Sequence, residues 1–599
     1  MCAIFGILGE YDSSHARYAL SRLAHRGPDY CGVVERKNLF FAHQRLSIID
    51  THSRAHQPLC HQDILLSFNG EIYNHKELRA ELDYPFETSS DTEVILAAYL
   101  KWGEGFVQHL RGMFAIALLD GERLYLFRDR LGKKPLFYMQ DTTSFFFASE
   151  IKGLTPFLKN TKLNQDALMS YLSFLAPTPP HTFFAGINKL GAGEYLIYEN
   201  GIAQVKRYFD LLDAPSNIIQ TKSEAIALLE PLLQESIEMR LASDVEVASL
   251  LSGGIDSATI NYYAKAHGTK LHTYTLGYKE FAKYDERSNA SESAKLLGVQ
   301  NTHIEINEQM FIQASEAVFE MLDEPLNDPA AIPLYLLFEH IKKDGYKVVM
   351  SGEGSDELFL GYRQYFEYLD IQKAATLAHK NWLKKYFHSN FSMNREWEWY
   401  KRIFDESLLF RTSGEKFTDL QKNRLMRRNV RDNESLQYLA PYHKRFEDSA
   451  HTDESLWYSY SDLNLFQAEH FLTKLDRVSM AHSIESRTPF LDHKLALALF
   501  SIDPRLRYEE GVTKSLLKEM MRGKLDEKIL KRKKKGFSNP YMEYLISSGK
   551  ISLIVEVNKQ TGLFHEKELQ SYIDTAARGS FKQHLWGLYV LSVWLKKYF

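Results

Sequence analysis

At 599 residues the chain exceeds the ~300 residues at which a single hydrophobic core usually stops growing, so two or more domains are expected. Its 73 Lys and Arg stand against 77 Asp and Glu, and a formal net charge of -4 supplies no broad positive field for nucleic acid. No apolar run approaches the ~20 residues that cross a bilayer, and the opening MCAIFGILGEYD lacks the basic and long apolar regions of a secretory signal. The expectation is a cytoplasmic protein with no nucleic-acid and no membrane partner.

Short apolar or alternating runs at 40–46, 64–68, 113–119, 123–127 and 144–148 predict strands, and 91–102 predicts a helix with Val94, Ile95, Ala98 and Tyr99 on one face. The first domain therefore reads as α+β. Pro177, Pro179 and Pro180 interrupt the pattern, and the polar stretch 210–220 precedes a capping box, Thr221-x-x-Glu224, with Ile226, Leu229, Leu233 and Ile237 at helical spacing. The boundary is placed there, giving domains 1–210 and 211–599. Strands at 245–251, 271–276 and 348–350 then alternate with helices from Asp256 and near 288–297, which predicts an α/β doubly wound, mostly parallel sheet with helical additions. Residues 365–460 read as aromatic, charged and helical. The chain is expected to end in an amphipathic helix carrying Leu588, Leu591, Trp594 and Leu595.

All three cysteines, Cys2, Cys31 and Cys60, lie in about the first tenth of the chain without a metal-ligand spacing, so neither a disulfide framework nor a zinc site is indicated. Removal of Met1 would leave Cys2 with its own α-amino group as a base, an arrangement that activates a thiol nucleophile. Cys2 alone is a weak signal. Its neighbours are Arg26-Gly27-Pro28-Asp29, His43 to Ile48, Asn69-Gly70-Glu71-Ile72-Tyr73-Asn74 and Ser90-Asp91-Thr92-Glu93. Together these segments resemble the glutaminase domain of amidotransferases with an N-terminal nucleophile, a fold of stacked antiparallel sheets flanked by helices.

That resemblance implies Cys2 as the nucleophile on a glutamine carboxamide, with Asn69 and the backbone N–H of Gly70 as the oxyanion hole. Arg45 suits the glutamine carboxylate, Glu71 and Asp91 suit its ammonium and amide end, and Leu46, Ser47, Ile48 and Ile49 offer main-chain contacts. Taken singly, Arg45 reads equally as a surface ion pair, Asn69-Gly70 as a hairpin turn and Asp91 as a helix cap.

The strand at 245–251 ends in Ser252-Gly253-Gly254-Ile255-Asp256-Ser257, where glycines between a strand and a helix let N–H groups surround a phosphate. The loop lacks the Lys of a Walker motif, so cleavage between the α- and β-phosphates of ATP is the better reading. A second loop, Ser351-Gly352-Glu353-Gly354-Ser355-Asp356-Glu357, would bring more carboxylates to the same sheet edge. Asp256 and Asp356 suit Mg²⁺, and Glu353 suits proton management.

With Tyr284-Asp285-Glu286, Asp323-Glu324-Pro325, Lys474-x-Asp476-Arg477, Glu485 to Asp492 and Lys534 ahead of Gly536-Phe537, these loops resemble the synthetase domain of the glutamine-hydrolysing asparagine synthetase family. The resemblance spans nearly the whole chain and implies glutamine, aspartate and ATP as substrates, Mg²⁺ as cofactor, a β-aspartyl-AMP intermediate and an ammonia tunnel. It also implies Leu251 and Leu276 beside the adenine, Ser351 and Gly352 against the nucleotide, Glu353 in forming or aminolysing the intermediate, and Lys534 stabilising charge at the phosphates. A homodimer is a family-level expectation. Ser355, Leu360 and Thr488 depart from the usual Ala, Gly and Val. Amidation of another carboxylate and a glutamine-sensing protein with an inactive synthetase half are the rival readings; retention of Asp256, Asp356, Glu353 and Lys534 disfavours the second.

Overall fold

The computed structural model describes residues 2–390, 392–430, 432–509, 511–533, 536 and 538–599. The first part is built from β1 (Ala3–Gly9), β2 (Tyr30–Arg36), β3 (Leu39–Arg45), β4 (Leu59–His61), β5 (Ile64–Ile72), β6 (Gly112–Asp120), β7 (Arg123–Arg128), β8 (Phe137–Gln140), β9 (Ser144–Ala148), β10 (Asn188–Lys189), β11 (Glu194–Glu199) and β12 (Ile202–Arg207). They form two antiparallel six-stranded sheets, in the orders β10-β8-β9-β1-β3-β2 and β12-β11-β7-β6-β5-β4.

The period of two along each strand explains why the sheets stack. On β1, Ala3, Phe5 and Ile7 join a core shared with the helix Gln165–Phe174, while Ile4 points the other way into the space between the sheets. On β6, Ala115, Ala117 and Leu119 fill that same space, and Phe114, Ile116 and Leu118 pack toward the helix Asp91–Trp102. Both faces of both sheets are thus covered. Ser90 caps this helix by accepting from the Thr92 N–H, so Asp91 is left in the first turn with its carboxylate free to point elsewhere.

The capping box forms as its spacing predicts: Thr221 Oγ1 accepts from the Glu224 N–H, and the Glu224 carboxylate accepts from the Thr221 N–H. It starts the helix Lys222–Leu241. The sheet beyond comprises β13 (Val247–Leu250), β14 (His272–Tyr278), β15 (Gln300–Ile306), β16 (Val348–Met350) and β17 (Glu485–Arg487), ordered β15-β14-β13-β16-β17 with every pairing parallel. Residues 363–461 hold helices such as Arg363–Gln372, Arg395–Phe404 and Ser435–Glu447. A π-helical segment, Asp462–Phe471, runs directly into the helix Leu472–Met480. The last helix, Lys582–Tyr598, differs from the amphipathic expectation, because Leu585 to Ser592 are all buried and the helix is a core element, not a surface one. Among the described residues no helix is long and apolar enough to cross a membrane.

Candidate active sites

Cys2 enters β1 with its backbone fixed on both sides. Its N–H donates to Asn69 Oδ1 at 3.0 Å, its carbonyl accepts from Arg26 Nε at 3.0 Å, and its Sγ lies 3.9 Å from the Leu46 carbonyl oxygen. Burial pushes the thiol pKa up, so ionisation needs a nearby base or positive charge before the sulfur can attack.

Asn69 and Gly70 do not form a hairpin turn; they lie inside β5, opposite Ala115 and Phe114 of β6. Because Asn69 Oδ1 is taken by Cys2, its amide nitrogen remains over, and Asn69 Nδ2 is buried without a hydrogen-bond partner among the described residues. Leaving such a donor unsatisfied costs about 1–3 kcal/mol. Beside a thiol it is the kind of preorganised donor that a developing oxyanion requires. At Gly70 a Cβ would fall 2.0 Å from the Met113 carbonyl oxygen, so the strand pair tolerates no side chain there.

The cavity beside Cys2 is walled by Arg45, Leu46, Ile48, Ile49, Gly70, Glu71 and Asp91. Arg45 is no surface ion pair: its guanidinium donates to the carbonyls of His52 and Asp50, at 2.9 and 2.5 Å, and holds the following loop around the cavity. Ser47 and Asn69 are the exceptions among the expected residues and are not part of the cavity wall: the Ser47 amide donates to Asp29 at 2.8 Å, and Asn69 is fully buried against the Cys2 N–H. Asp91 accepts from the Ile72 N–H at 2.9 Å instead of capping its helix. Burial raises the pKa of both Glu71 and Asp91 above the ordinary carboxylate range.

One wall residue comes from the second half of the chain. Glu485, the first residue of β17, lines the cavity that holds Cys2. Arg487, two residues on and therefore on the same face of the strand, donates to Glu485 at 2.7 Å and to Glu71 at 3.2 Å. Its carbonyl accepts from the Ser351 N–H at 2.8 Å. Other charged groups close the same junction: Arg26 binds Glu150 and Asp476, both at 2.7 Å, and Asp492 receives Arg111 at 2.9 Å and Arg240 at 3.3 Å.

Ser351 follows β16 and opens the second cavity, of about 250 Å³, at the carboxyl edge of the parallel sheet. Leu251, Ser252, Asp256, Ser257, Leu276, Ser351, Gly352, Glu353 and Asp356 all line it, joined by Tyr362, Phe471 and Lys474. Gly253 and Gly254 shape the loop without lining the cavity. Gly253 has φ +81°, where a Cβ would meet the Asn289 backbone at 2.8 Å, and Gly254 precedes the helix Ile255–Ala266. Gly352 packs against Asp256, its hypothetical Cβ lying 3.2 Å from the Asp256 Cβ. Lys534 lies outside the described residues. A larger cavity, about 490 Å³, sits between 316–325, 548–556 and 589–597; pairs such as Lys550–Glu316 neutralise its rim, and none of the expected site residues reaches it.

The departures from the family spelling have structural consequences. Ser355 Oγ donates to Asp256 Oδ1 at 2.7 Å, a bond an alanine cannot make. Leu360 adopts φ +53°, a left-handed conformation that costs a non-glycine residue about 1 kcal/mol. Thr488 is buried beside β17. The groups suited to a cation are Asp256 and Asp356, which already share the Lys514 ammonium, at 2.6 and 2.8 Å. As two carboxylates lining the cavity beside the Ser252–Ser257 loop they nonetheless fit Mg²⁺, which is bound by one or two carboxylates together with substrate phosphates.

Comparison with known proteins places these cavities in context. The family profile "Asparagine synthase" matches residues 228–596, and "Glutamine amidotransferase domain" matches residues 1–209. The chain is 30% identical to Asparagine synthetase [glutamine-hydrolyzing] 1 of Bacillus subtilis, over 99% of this chain and 96% of that protein. It is 32% identical to a putative asparagine synthetase [glutamine-hydrolyzing] of Mycobacterium bovis, over 87% and 83%. With Asparagine synthetase B [glutamine-hydrolyzing] of Escherichia coli it shares 35% identity over 60% of this chain and 65% of that one.

Proposed function

Since the chain belongs to the glutamine-hydrolysing asparagine synthetase family, we propose that it releases ammonia from glutamine at Cys2 and uses it to convert aspartate and ATP into asparagine, AMP and pyrophosphate. The observation that carries this reading is the shared sheet. Glu485 at the start of β17 walls the thiol cavity, while Ser351 at the end of the adjacent β16 opens the nucleotide cavity.

In the first half-reaction, with Met1 removed, the Cys2 α-amino group takes the thiol proton as the sulfur attacks the glutamine carboxamide carbon, and passes it to the departing nitrogen. The oxygen that gains charge is received by Asn69 Nδ2 and the Gly70 N–H. Glu71 and Asp91 hold the glutamine ammonium, Arg45 attracts its carboxylate, and Leu46, Ile48 and Ile49 enclose its chain. Collapse of the tetrahedral adduct expels ammonia and leaves a thioester that water hydrolyses to glutamate.

In the second, the aspartate side-chain carboxylate attacks the ATP α-phosphorus, forming β-aspartyl-AMP and displacing pyrophosphate. Leu251 and Leu276 flank the adenine, and Ser252, Ser257, Ser351 and Gly352 bind the nucleotide, with Gly253 and Gly254 giving the loop its shape. Asp256 and Asp356 would hold Mg²⁺, which neutralises phosphate charge when bound. Glu353 takes a proton from ammonia as it attacks the acyl carbon, and Lys534 offsets charge on the departing group. Ammonia passes between the cavities within the protein, and domains 1–210 and 211–599 divide the labour. A homodimer and a cytoplasmic location complete the proposal.

Cys2→Ala tests the two-site arrangement. Synthesis from glutamine is expected to stop and synthesis from ammonium to continue; loss of both would refute separate sites.

A further inference from the structure

Lys514 belongs to none of the motifs above, yet it reaches the acidic centre of the nucleotide site. Its ammonium lies 2.6 Å from each Asp256 carboxylate oxygen and 2.8 Å from Asp356 Oδ1, with the side chain only 3% exposed. The placement is enforced by the backbone. Lys514 takes φ 55° and ψ 36° ahead of the helix Ser515–Met520, and Gly361 leaves the room it needs: a Cβ there would fall 2.4 Å from Lys514 Cε and 1.9 Å from Asp356 Oδ1. Ser355 Oγ, 2.7 Å from Asp256 Oδ1, adds a further bond to the same carboxylate. Two carboxylates from the first turns of two helices, Ile255–Ala266 and Ser355–Leu358, are thus drawn together by a cation from a third segment.

A divalent cation must compete for those same oxygens. Arriving alone, it would have to strip a buried ammonium of its carboxylates, an unfavourable exchange. Arriving with a triphosphate, it brings anionic oxygens to which the ammonium can turn, and the exchange becomes electrostatically balanced. We propose that Lys514 is a positioning residue and resident counter-ion that keeps free divalent cations off the Asp256–Asp356 pair and yields the pair only when a nucleoside triphosphate arrives. The inference rests on reading that pair as the metal–nucleotide site.

Mn²⁺ binding to the full chain, followed by electron paramagnetic resonance, tests it. Without nucleotide, the unsubstituted protein and Asp256→Asn are expected to bind Mn²⁺ equally weakly, whereas Lys514→Met and Lys514→Gln gain one site about tenfold tighter or more. A tight nucleotide-independent site in the unsubstituted protein that Asp256→Asn abolishes would overturn the proposal, whether or not the Lys514 variants fold. So would a Lys514 variant with native circular dichroism and unchanged Mn²⁺ affinity. The underlying reading is checked separately with α,β-methylene-ATP. Mn²⁺ held with this analogue by the unsubstituted protein and lost in Asp256→Asn supports the metal–nucleotide site; its retention in Asp256→Asn refutes that site itself.

Discussion

Arg487 donates to Glu71 at 3.2 Å, joining residues 416 positions apart across the junction between the antiparallel and parallel sheets. The same guanidinium holds Glu485 at 2.7 Å, and the same residue's carbonyl fixes Ser351. The wall of the thiol cavity is therefore assembled from both halves of the chain, and the residue that links them is hydrogen-bonded to the nucleotide edge. Such a link gives each cavity a direct structural dependence on the other.

The unpartnered Asn69 Nδ2 predicts a defect confined to one half-reaction. Asn69→Ala should lower kcat for glutamine hydrolysis by about 10²–10³-fold, with a smaller change in KM, because the lost donor acts on the transition state. Glutamate release measures the first rate and ammonium-dependent synthesis the control. Undiminished glutamate release would remove Asn69 from the oxyanion hole.

Glu71, Asp91 and Glu485 converge on one cavity, where Arg487 overcomes burial to hold Glu485 below the ordinary carboxylate range while burial raises Glu71 and Asp91. A bound ammonium would favour their ionised forms. As pH falls, these raised carboxyls take up protons sooner than ordinary ones, so glutamine KM should rise while ammonium-dependent synthesis changes less. Glu485→Gln should raise glutamine KM several-fold, in line with the loss of one charge-assisted contact. A KM independent of both pH and Glu485 would show that the ammonium is received elsewhere.

Asp492 is buried between Arg111 and Arg240. Burial alone would raise its pKa, but Arg240, His493 and Arg111 hold it well below the ordinary carboxylate range. A depressed carboxylate stabilises the folded state above its unfolded pKa of about 4, and the contribution is lost as pH falls through the lower folded value. Asp492→Asn should therefore cost about 3–5 kcal/mol at pH 7, since buried Arg240 loses its carboxylate partner and Arg111 keeps only the half-exposed Glu235. In thermal unfolding at pH 7 and pH 3, the gap between variant and parent should shrink at the lower pH. An equal gap at both values would contradict the ion-pair account.

Chelation separates the two chemistries. On the proposed mechanism, which assigns glutamine to Cys2 and Asn69 and the phosphate step to the Asp256–Asp356 pair, EDTA should abolish asparagine and pyrophosphate formation and leave glutamine hydrolysis nearly intact. Glutamate and pyrophosphate assayed in one sample decide it. Glutaminase activity lost with EDTA and restored by Mg²⁺ would refute the thiol mechanism.

Much of this arrangement could be read from the sequence where the signal is local. The capping box at Thr221, the helix at Asp91 and the strand before Ser252 are each set by neighbours a few residues away. Asn69-Gly70 shows how local reading fails: the pair carries a turn signature, yet long-range pairing with β6 holds it extended. Glu485 and Lys514 lay beyond motif reasoning for a different reason. Each reaches its cavity only because parallel pairing or a left-handed backbone brings a remote segment to it. Residues 365–460 are legible as helical, but their packing is not, because aromatic side chains there bury several faces at once.

The most direct test of the central claim is pyrophosphate release by the purified protein with Mg-ATP and glutamine, with and without aspartate, while asparagine is followed by mass. Aspartate-dependent pyrophosphate matched one for one by asparagine is the predicted result. Glutamine hydrolysis with no response to aspartate would contradict it and point to a different carboxylate as the acceptor.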